Sequence, residues 1–238
     1  MNATVMRIGW RTMTGRRRGL VLLLLPALLV AISVVVSALA DPSAETSMHI
    51  LQDLGTVVIV PLVALIATSS VIVPELEDGS IAYLLAKPIS RLSIVLSKAV
   101  VILGVTLVCG VAPIVVSSFI LQPGDSTMAT ALAVGATTMA IAYTALFTAL
   151  ATSTRHAIIA GIAYIFLWEG LLARFMPGIR WLSIQRWGFD LVNDIRDVTV
   201  VRGDLPLAYS VTALAVVTVA GVLWGARRLS RYNLTGED

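Results

Sequence analysis

The side chains best able to do chemistry in this sequence are two histidines, one cysteine and an acid set within an apolar stretch. His49 and His156 stand far apart, and Cys109 lies inside a long apolar run, so no local group of His and Cys could hold a metal ion. Met48 beside His49 makes only two neighbouring ligands. No Gly-x-Ser-x-Gly sequence is present for a hydrolase. We therefore expect no catalytic, cofactor-binding or metal-binding residues in this chain.

The lysines exclude ATP hydrolysis through a phosphate-binding loop. Such a loop needs Gly-x4-Gly-Lys followed by Ser or Thr. Lys87 and Lys98 are the only lysines, and neither follows a glycine. If this protein uses ATP, a separate subunit must bind the ATP and its magnesium.

Glu169 is the acid in the apolar stretch, which reads Ile-Phe-Leu-Trp-Glu-Gly-Leu-Leu. A carboxylate in lipid must pair, reach an aqueous cavity or become protonated. Arg174 is a nearby basic residue, so we expect a structural pair or a contact with the loop that follows. A substrate or proton site is the alternative.

The composition places these side chains in a membrane protein. Hydrophobic residues make up 58% of the chain and charged residues 13%, which leaves too little polar surface for a water-soluble fold. A helix needs about 20 apolar residues to cross the hydrocarbon layer, and no stretch shows the alternation of a barrel strand. We predict an all-α fold with residues 1–238 as a single transmembrane domain. The six predicted spans are residues 20–40, 54–73, 99–121, 128–151, 157–173 and 207–226.

The start of the chain allows two interpretations. Ser37-Ala-Leu-Ala40 before Asp41 resembles a signal-peptide cleavage site. The apolar core is longer than the roughly 7 to 15 residues of a signal peptide, which favours a membrane span. Residues 1–19 read as an amphipathic cytoplasmic segment whose arginines meet anionic lipid headgroups, with a simple topology anchor as the alternative.

The basic residues predict the orientation, because short loops rich in Lys and Arg stay in the cytoplasm. Both termini are then cytoplasmic, and residues 174–206 form a long outer loop. No aromatic-studded basic face for nucleic acid is present, so the expected surroundings are membrane lipids in a plasma membrane, as a multi-pass and bacterial protein. The short outer loops contain acids and no Lys or Arg, namely Asp41, Glu45, Asp53 and Asp125.

The loop between the second and third spans reads as a short helix between charged flanks. Ser80 caps a helix of residues 80–86, Pro88 ends it, and Ser90 caps the next span. An apolar face with charged flanks suits a groove on a soluble partner. A merely solvated loop is the alternative.

The same loop carries an acidic segment, a Gly, a Leu-Leu pair and Pro-x-x-Arg ahead of the third span, here Glu75, Glu77, Gly79, Leu84, Leu85, Lys87, Pro88, Ser90, Arg91 and Lys98. In this pattern the chain resembles the permease subunits of ABC-2 type exporters.

The resemblance implies a membrane half that dimerises with a second permease copy or paralogue. It also implies a separate ABC ATP-binding subunit docking on the cytoplasmic loop, and a short helical element between spans five and six. The residues expected to couple to the ATP-binding subunit are Glu75, Glu77, Gly79, Ser80, Tyr83, Leu84, Leu85, Lys87 and Arg91.

Small and hydroxyl residues predict how the spans pack. Gly221 and Gly225 form a small pair in the sixth span that permits close helix contact. Ser69 and Ser70 place hydroxyls in the second span, where they could line a path for an amphiphilic or hydrophobic cargo or simply bond to their own helix. A small stripe runs along the fourth span through Ala129, Ala133, Ala136, Ala140 and Thr144.

The outer segment of residues 174–206 carries Trp181, Ile184 and Trp187 at helical spacing. We expect a helix lying at the outer interface, first as an anchor and second as an extracellular gate that includes Glu169 and Trp181.

Two other functions stay open from the sequence. An ion-coupled secondary transporter would need several buried carboxylates or broken helices, and the spans supply a single acid. A membrane scaffold subunit that moves nothing is excluded by no sequence feature.

Overall fold

A computed structural model describes residues 16–74, 90–154, 156–176, 178–196 and 205–230. Within these ranges the chain is helical and contains no β-strand, which confirms the all-α prediction. The main helices are α1 (Arg16–Ala40), α2 (Ala44–Val71), α3 (Arg91–Leu121), α4 (Ser126–Ser153), α5 (Ala157–Leu172), α6 (Ile184–Arg196) and α7 (Leu207–Ser230).

Five of these described helices are long and apolar enough to cross a membrane, namely α1, α2, α3, α4 and α7. The sequence predicted six spans, and α5 is the one that is shorter than the others. It continues beyond Leu172 as one further turn, Ala173–Phe175. The chain is thus a multi-pass membrane protein, and a sixth crossing depends on α5 together with this turn.

Two of the long helices begin at a serine cap rather than where the apolar stretch begins. The Ser43 hydroxyl accepts the N–H of Thr46 at 3.2 Å, so α2 starts ahead of the predicted residue 54. The Ser90 hydroxyl accepts the N–H of Ser93 at 3.3 Å, so α3 starts ahead of residue 99 at the cap that the sequence predicted. A capping side chain sets each boundary, because it satisfies backbone N–H groups that the first turn leaves unpaired.

Three helices contain π-helical segments, in which the backbone hydrogen bonds reach one residue further back. Proline accounts for the first two, because Pro61 and Pro113 follow them closely and have no N–H to donate. The Val60 N–H accordingly donates to the Gly55 carbonyl. The segments are Leu51–Ile59 in α2, Leu107–Val111 in α3 and Tyr164–Leu172 in α5.

The loops that the sequence places outside meet at one end of the bundle. Gln122 Nε2 donates to the Pro42 carbonyl at 2.6 Å, which joins the loop after α3 to the loop after α1. Arg196 at the end of α6 pairs with Asp125 at 2.8 Å. The start of α3 packs against the last turns of α7 at the opposite end. Neighbouring spans therefore run antiparallel, as the short connections between them require.

Asp125 combines two roles that substitutions can separate. One carboxylate oxygen accepts the Met128 N–H at 2.8 Å and caps α4, and the other pairs with Arg196. Asp125→Asn keeps a capping oxygen and removes a partly exposed ion pair, so we expect a loss of at most about 1 kcal/mol in the free energy of unfolding. Asp125→Ala also removes the cap, so we expect about 1 kcal/mol more. Thermal unfolding of both variants in one detergent measures the difference, and equal losses would contradict the capping role.

Helix α4 is central, since α2, α3, α5, α6 and α7 all pack against it. At the contact with α7, a Cβ added to Gly221 would lie 2.7 Å from the Ala145 carbonyl oxygen, so the two backbones approach closely. A Cβ added to Gly225 would lie at an ordinary 3.6 Å from the nearest atoms, Thr148 Cγ2 among them.

The predicted small stripe of α4 lies on another face of that helix. Ala136 and Ala140 are fully buried and Ala133 is partly buried. Ala145, which contacts α7, is about 140° around the helix axis from Ala140. The glycine pair of α7 and the stripe of α4 are therefore not partners of each other.

Candidate functional site

Helix α6 lies inside the bundle, against the side of α4. A Cβ added to Gly135 would lie 2.4 Å from Val192 Cγ2 and 3.0 Å from the Gly188 carbonyl oxygen. Gly188 in turn faces Met139, whose Cε would be 2.2 Å from an added Cβ. Met139 lies about 20 Å along α4 from its start. The first turn of α6 therefore sits near the middle of the bundle, and its last turn sits at the outer loops.

The predicted helical element between spans five and six corresponds to α6. Trp187 and Phe189 are each only 3% exposed, so these aromatic side chains of α6 face protein. Trp181 does not belong to the helix at all. It lies in the 3₁₀ turn Ile179–Leu182, is 43% exposed, and contacts Tyr209 of α7 edge-on with ring centroids 5.1 Å apart. The sequence pattern of residues 174–206 gave no sign of the glycine contacts that bury α6.

Glu169 holds the inner end of α6. Its carboxylate accepts the Ile184 N–H at 2.9 Å and the Tyr164 hydroxyl at 2.8 Å on one oxygen, and the Ser183 hydroxyl on the other. The side chain is 4% exposed. The Ser183 hydroxyl also accepts the Arg186 N–H at 3.2 Å, so Ser183 caps the helix and links the cap to the acid.

The electrostatic partner of the carboxylate is the helix end itself. The first N–H groups of a helix are unpaired and carry a partial positive charge of roughly half an elementary charge. Placing a carboxylate there stabilises both groups in a buried region. The sequence offered Arg174 or the following loop as the partner, and the described contacts come from that loop and from Tyr164.

The π-helical segment of α5 explains why Tyr164 reaches Glu169. Residues five apart share a face in a π-helix, where an ordinary helix would turn them away from each other. Sequence reasoning missed Tyr164 for this reason. It also missed Ser183 and Gln185, because no local pattern ties them to an acid in a preceding helix.

Gln185 connects α6 to the irregular part of α2. Its Nε2 donates to the Val57 carbonyl at 3.4 Å. Pro61 stands four residues after Val57 and has no N–H, so this carbonyl lacks the partner that an α-helix would provide. Tyr143 of α4 is fully buried, and its hydroxyl lies beside Gln185 and Glu169.

A small cavity and a row of aromatic rings flank the acid. The cavity has a volume of about 60 Å³, and Val57, Glu169, Ser183 and Arg186 are among the residues lining it. The Tyr164 ring has aromatic neighbours within α5 and in α4. Tyr164 lies 6.5 Å from Trp168, 6.5 Å from Tyr143 and 6.3 Å from Phe147, measured between ring centroids.

The two serines predicted for a cargo path lie elsewhere. Ser69 and Ser70 donate their hydroxyls to the Ile66 carbonyl at 3.0 Å and 2.7 Å. They stand in the last turns of α2, away from Val57, and their hydroxyls bond within their own helix.

Most of the predicted coupling residues lie outside the described ranges, and only Arg91, in the first turn of α3, is within them. Among the described residues, no three His, Cys, Asp or Glu side chains come together as metal ligands. The coupling residues outside these ranges are Glu75, Glu77, Gly79, Ser80, Tyr83, Leu84, Leu85 and Lys87.

Two comparisons with known proteins bear on this arrangement. A family model described as "ABC-2 family transporter protein" matches residues 41–223, a range that contains α2 through most of α7 and the whole surroundings of Glu169. No curated protein matches the chain.

Proposed function

Because the chain belongs to the ABC-2 family of transporter proteins, we propose that it is the permease subunit of an ATP-driven exporter in a bacterial plasma membrane. The observation that carries the proposal is the family match over most of the chain, whose described part contains five helices long and apolar enough to cross a membrane. The chain is not itself an enzyme. In the proposal, ATP and magnesium are bound by a separate ATP-binding subunit, and a second permease copy or paralogue completes the membrane pore.

The proposed mechanism transmits force through the loop between α2 and α3. ATP closes the partner's nucleotide-binding dimer, the dimer moves residues 75–89, and the two permeases rock to release cargo outward. Six crossings, with α5 as the fifth, keep both termini on the cytoplasmic side. The cargo in this proposal is amphiphilic or hydrophobic, since the spans offer hydroxyls and aromatic rings with a single acid near mid-depth.

The outer end of the path is assigned to α6 and the turn before it. Helix α6 occupies the bundle from its middle to the outer loops, so cargo leaving along α4 must pass it. Glu169 holds its inner end, and Trp181 with Tyr209 closes the turn against α7. Ser69 and Ser70 stand nearer the cytoplasmic end of α2 in this topology. Their hydroxyls are uncharged, so they add no charge to a cargo path there.

Removing a charge from the coupling loop tests the proposal. Glu77→Ala or Arg91→Ala is expected to lower co-purification of the ATP-binding subunit, or its stimulated ATPase activity, several-fold. The physical reason is that these charges flank the apolar face that the sequence predicts for residues 80–86. Glu45→Ala serves as the control, because Glu45 is an exposed acid in the first turn of α2 at the opposite end. Unchanged co-purification and ATPase activity in both loop variants would remove them from the coupling site.

An ion-coupled carrier is the second candidate, and the structure adds an observation in its favour. Irregular helices and a helix ending near mid-bundle are features by which such carriers hold their ions. Here, however, the carboxylate already accepts an N–H from a helix end, which repels a metal cation. Sealed vesicles distinguish the candidates, since a carrier moves cargo without ATP and the proposed exporter does not.

A further inference from the structure

The surroundings of Glu169 contain more recognition chemistry than an anchor for α6 requires. Glu169 accepts the Tyr164 hydroxyl, and Tyr143 is a second aromatic neighbour of the acid. The Tyr164 ring lies in a row with the rings of Tyr143, Phe147 and Trp168. A carboxylate with aromatic faces is a combination that binds organic cations, because both the charge and the ring quadrupoles attract positive groups.

Tyr143 adds a hydroxyl group at the same place. Its side chain is fully buried, and Gln185 and Glu169 are the polar neighbours of its hydroxyl. A ligand that carries N–H groups next to Glu169 would meet this hydroxyl as a second acceptor.

The present occupant of the acid is itself positive. The helix end presents the Ile184 N–H and the Ser183 hydroxyl to the carboxylate, and Arg186 of the same helix lines the cavity. A cation cannot bind while this end is seated, since both charges oppose it. All of these opposing groups belong to α6 or its cap, so they leave together when the inner end of α6 moves away.

We propose that Glu169 and its aromatic neighbours form a binding site for a lipophilic organic cation, which competes with the inner end of α6 for the same carboxylate. This inference deepens the proposed export function by naming a cargo class. Tyr164 and Trp168 are partly exposed on the outer surface of α5, while Tyr143 and Phe147 are buried. The row of rings therefore leads from the surface of the chain to the acid, which is the route that we assign to a cation already dissolved in the bilayer.

Binding of tetraphenylphosphonium to the purified full-length chain in detergent tests the proposal. Tetraphenylborate, of the same shape and opposite charge, corrects for partition into micelles. The Glu169→Gln variant is expected to bind the phosphonium at least about tenfold more weakly, because it loses a charge in a desolvated site, and to bind the borate as before. Asp190→Asn is the matched control. Asp190 is a buried acid within α6, it accepts the Ser210 hydroxyl instead, and its loss is expected to leave phosphonium binding unchanged.

A second measurement tests the competition and needs no change at Glu169. Ile184→Cys in a Cys109→Ala background keeps the backbone N–H that Glu169 accepts, and its side chain replaces one that is 1% exposed. Saturating phosphonium is expected to raise the rate of maleimide labelling at this cysteine by about tenfold or more, because the inner end of α6 leaves the bundle, while the borate leaves the rate unchanged.

Three results would overturn the inference: equal phosphonium affinity in Glu169→Gln and the unsubstituted chain, equal loss in Asp190→Asn, or a labelling rate that the phosphonium does not change. If Glu169→Gln does not fold, the labelling experiment still decides. Neither assay involves ATP, a partner subunit or transport. Failure of ATP-driven export would therefore refute the proposed function without affecting the cation site. Failure of the two cation assays would refute the cation site without affecting the proposed export function.

Discussion

Glu169→Ala is expected to lower the free energy of unfolding by about 3 kcal/mol or more. The substitution leaves three donors without an acceptor, namely the buried Ile184 N–H and Ser183 hydroxyl and the partly buried Tyr164 hydroxyl. Each unsatisfied buried group costs about 1 to 3 kcal/mol. It also removes the negative charge from the positive end of α6, which adds to the loss. Thermal and denaturant unfolding of the purified chain in one detergent measures the effect.

Tyr164→Phe is the matched control for Glu169→Ala. It removes one of the three donors and keeps the ring between Tyr143 and Trp168, so the expected loss is about 1 kcal/mol. Equal losses in the two variants would show that the carboxylate does not hold α6. A loss below about 1 kcal/mol in Glu169→Ala would show the same.

Gly221→Ala is expected to destabilise the chain by about 1 to 3 kcal/mol, although alanine is the better helix former. The added Cβ would meet the Ala145 carbonyl oxygen at 2.7 Å and its carbonyl carbon at 2.8 Å. Backbone atoms cannot rotate away as a side chain can, so α7 must shift against α4 and lose contacts along its length.

Gly225→Ala, one turn further along the same helix, is the control for Gly221→Ala. Its added Cβ would have ordinary contacts at 3.6 Å, and alanine gains about 1 kcal/mol of helix propensity over glycine. We expect a neutral or slightly stabilising change in thermal unfolding. Similar losses at both positions would mean that the close approach at Gly221 does not limit the packing of α7.

The substitutions at Glu169 and Gly221 test different contacts of the helix bundle. Gly221 sets the distance between two spans, whereas Glu169 and the glycine contacts of α6 set how deeply a short helix enters between them. A loss at Gly221 is therefore expected in stability alone. A loss at Glu169 is expected in stability and in the position of α6, which the labelling of residue 184 reports separately.

The sequence alone determined the features that depend on local composition. Apolar length predicted an all-α membrane protein, the lysines excluded a phosphate-binding loop, and Ser90 was predicted as a helix cap. The charged loop of residues 74–98 identified the family, which the family match over residues 41–223 confirms. Each of these features depends on residues close together in the chain. The free-energy cost of burying a charge, or of leaving an N–H group unpaired, is the same for such residues in any fold.

Tertiary structure decided the surroundings of Glu169. The acid meets Ile184 only because α6 turns back into the bundle, and α6 can do so only because Gly135 and Gly188 let two helices cross at close distance. Such a crossing joins residues about 50 positions apart, and no local periodicity encodes it. Pro61 shows the same limit, since its missing N–H was visible in the sequence but the Gln185 side chain that bonds to the freed Val57 carbonyl was not. Hydropathy describes the free energy of burying each segment. Only the packed bundle determines which hydrogen-bond partner each buried polar group meets.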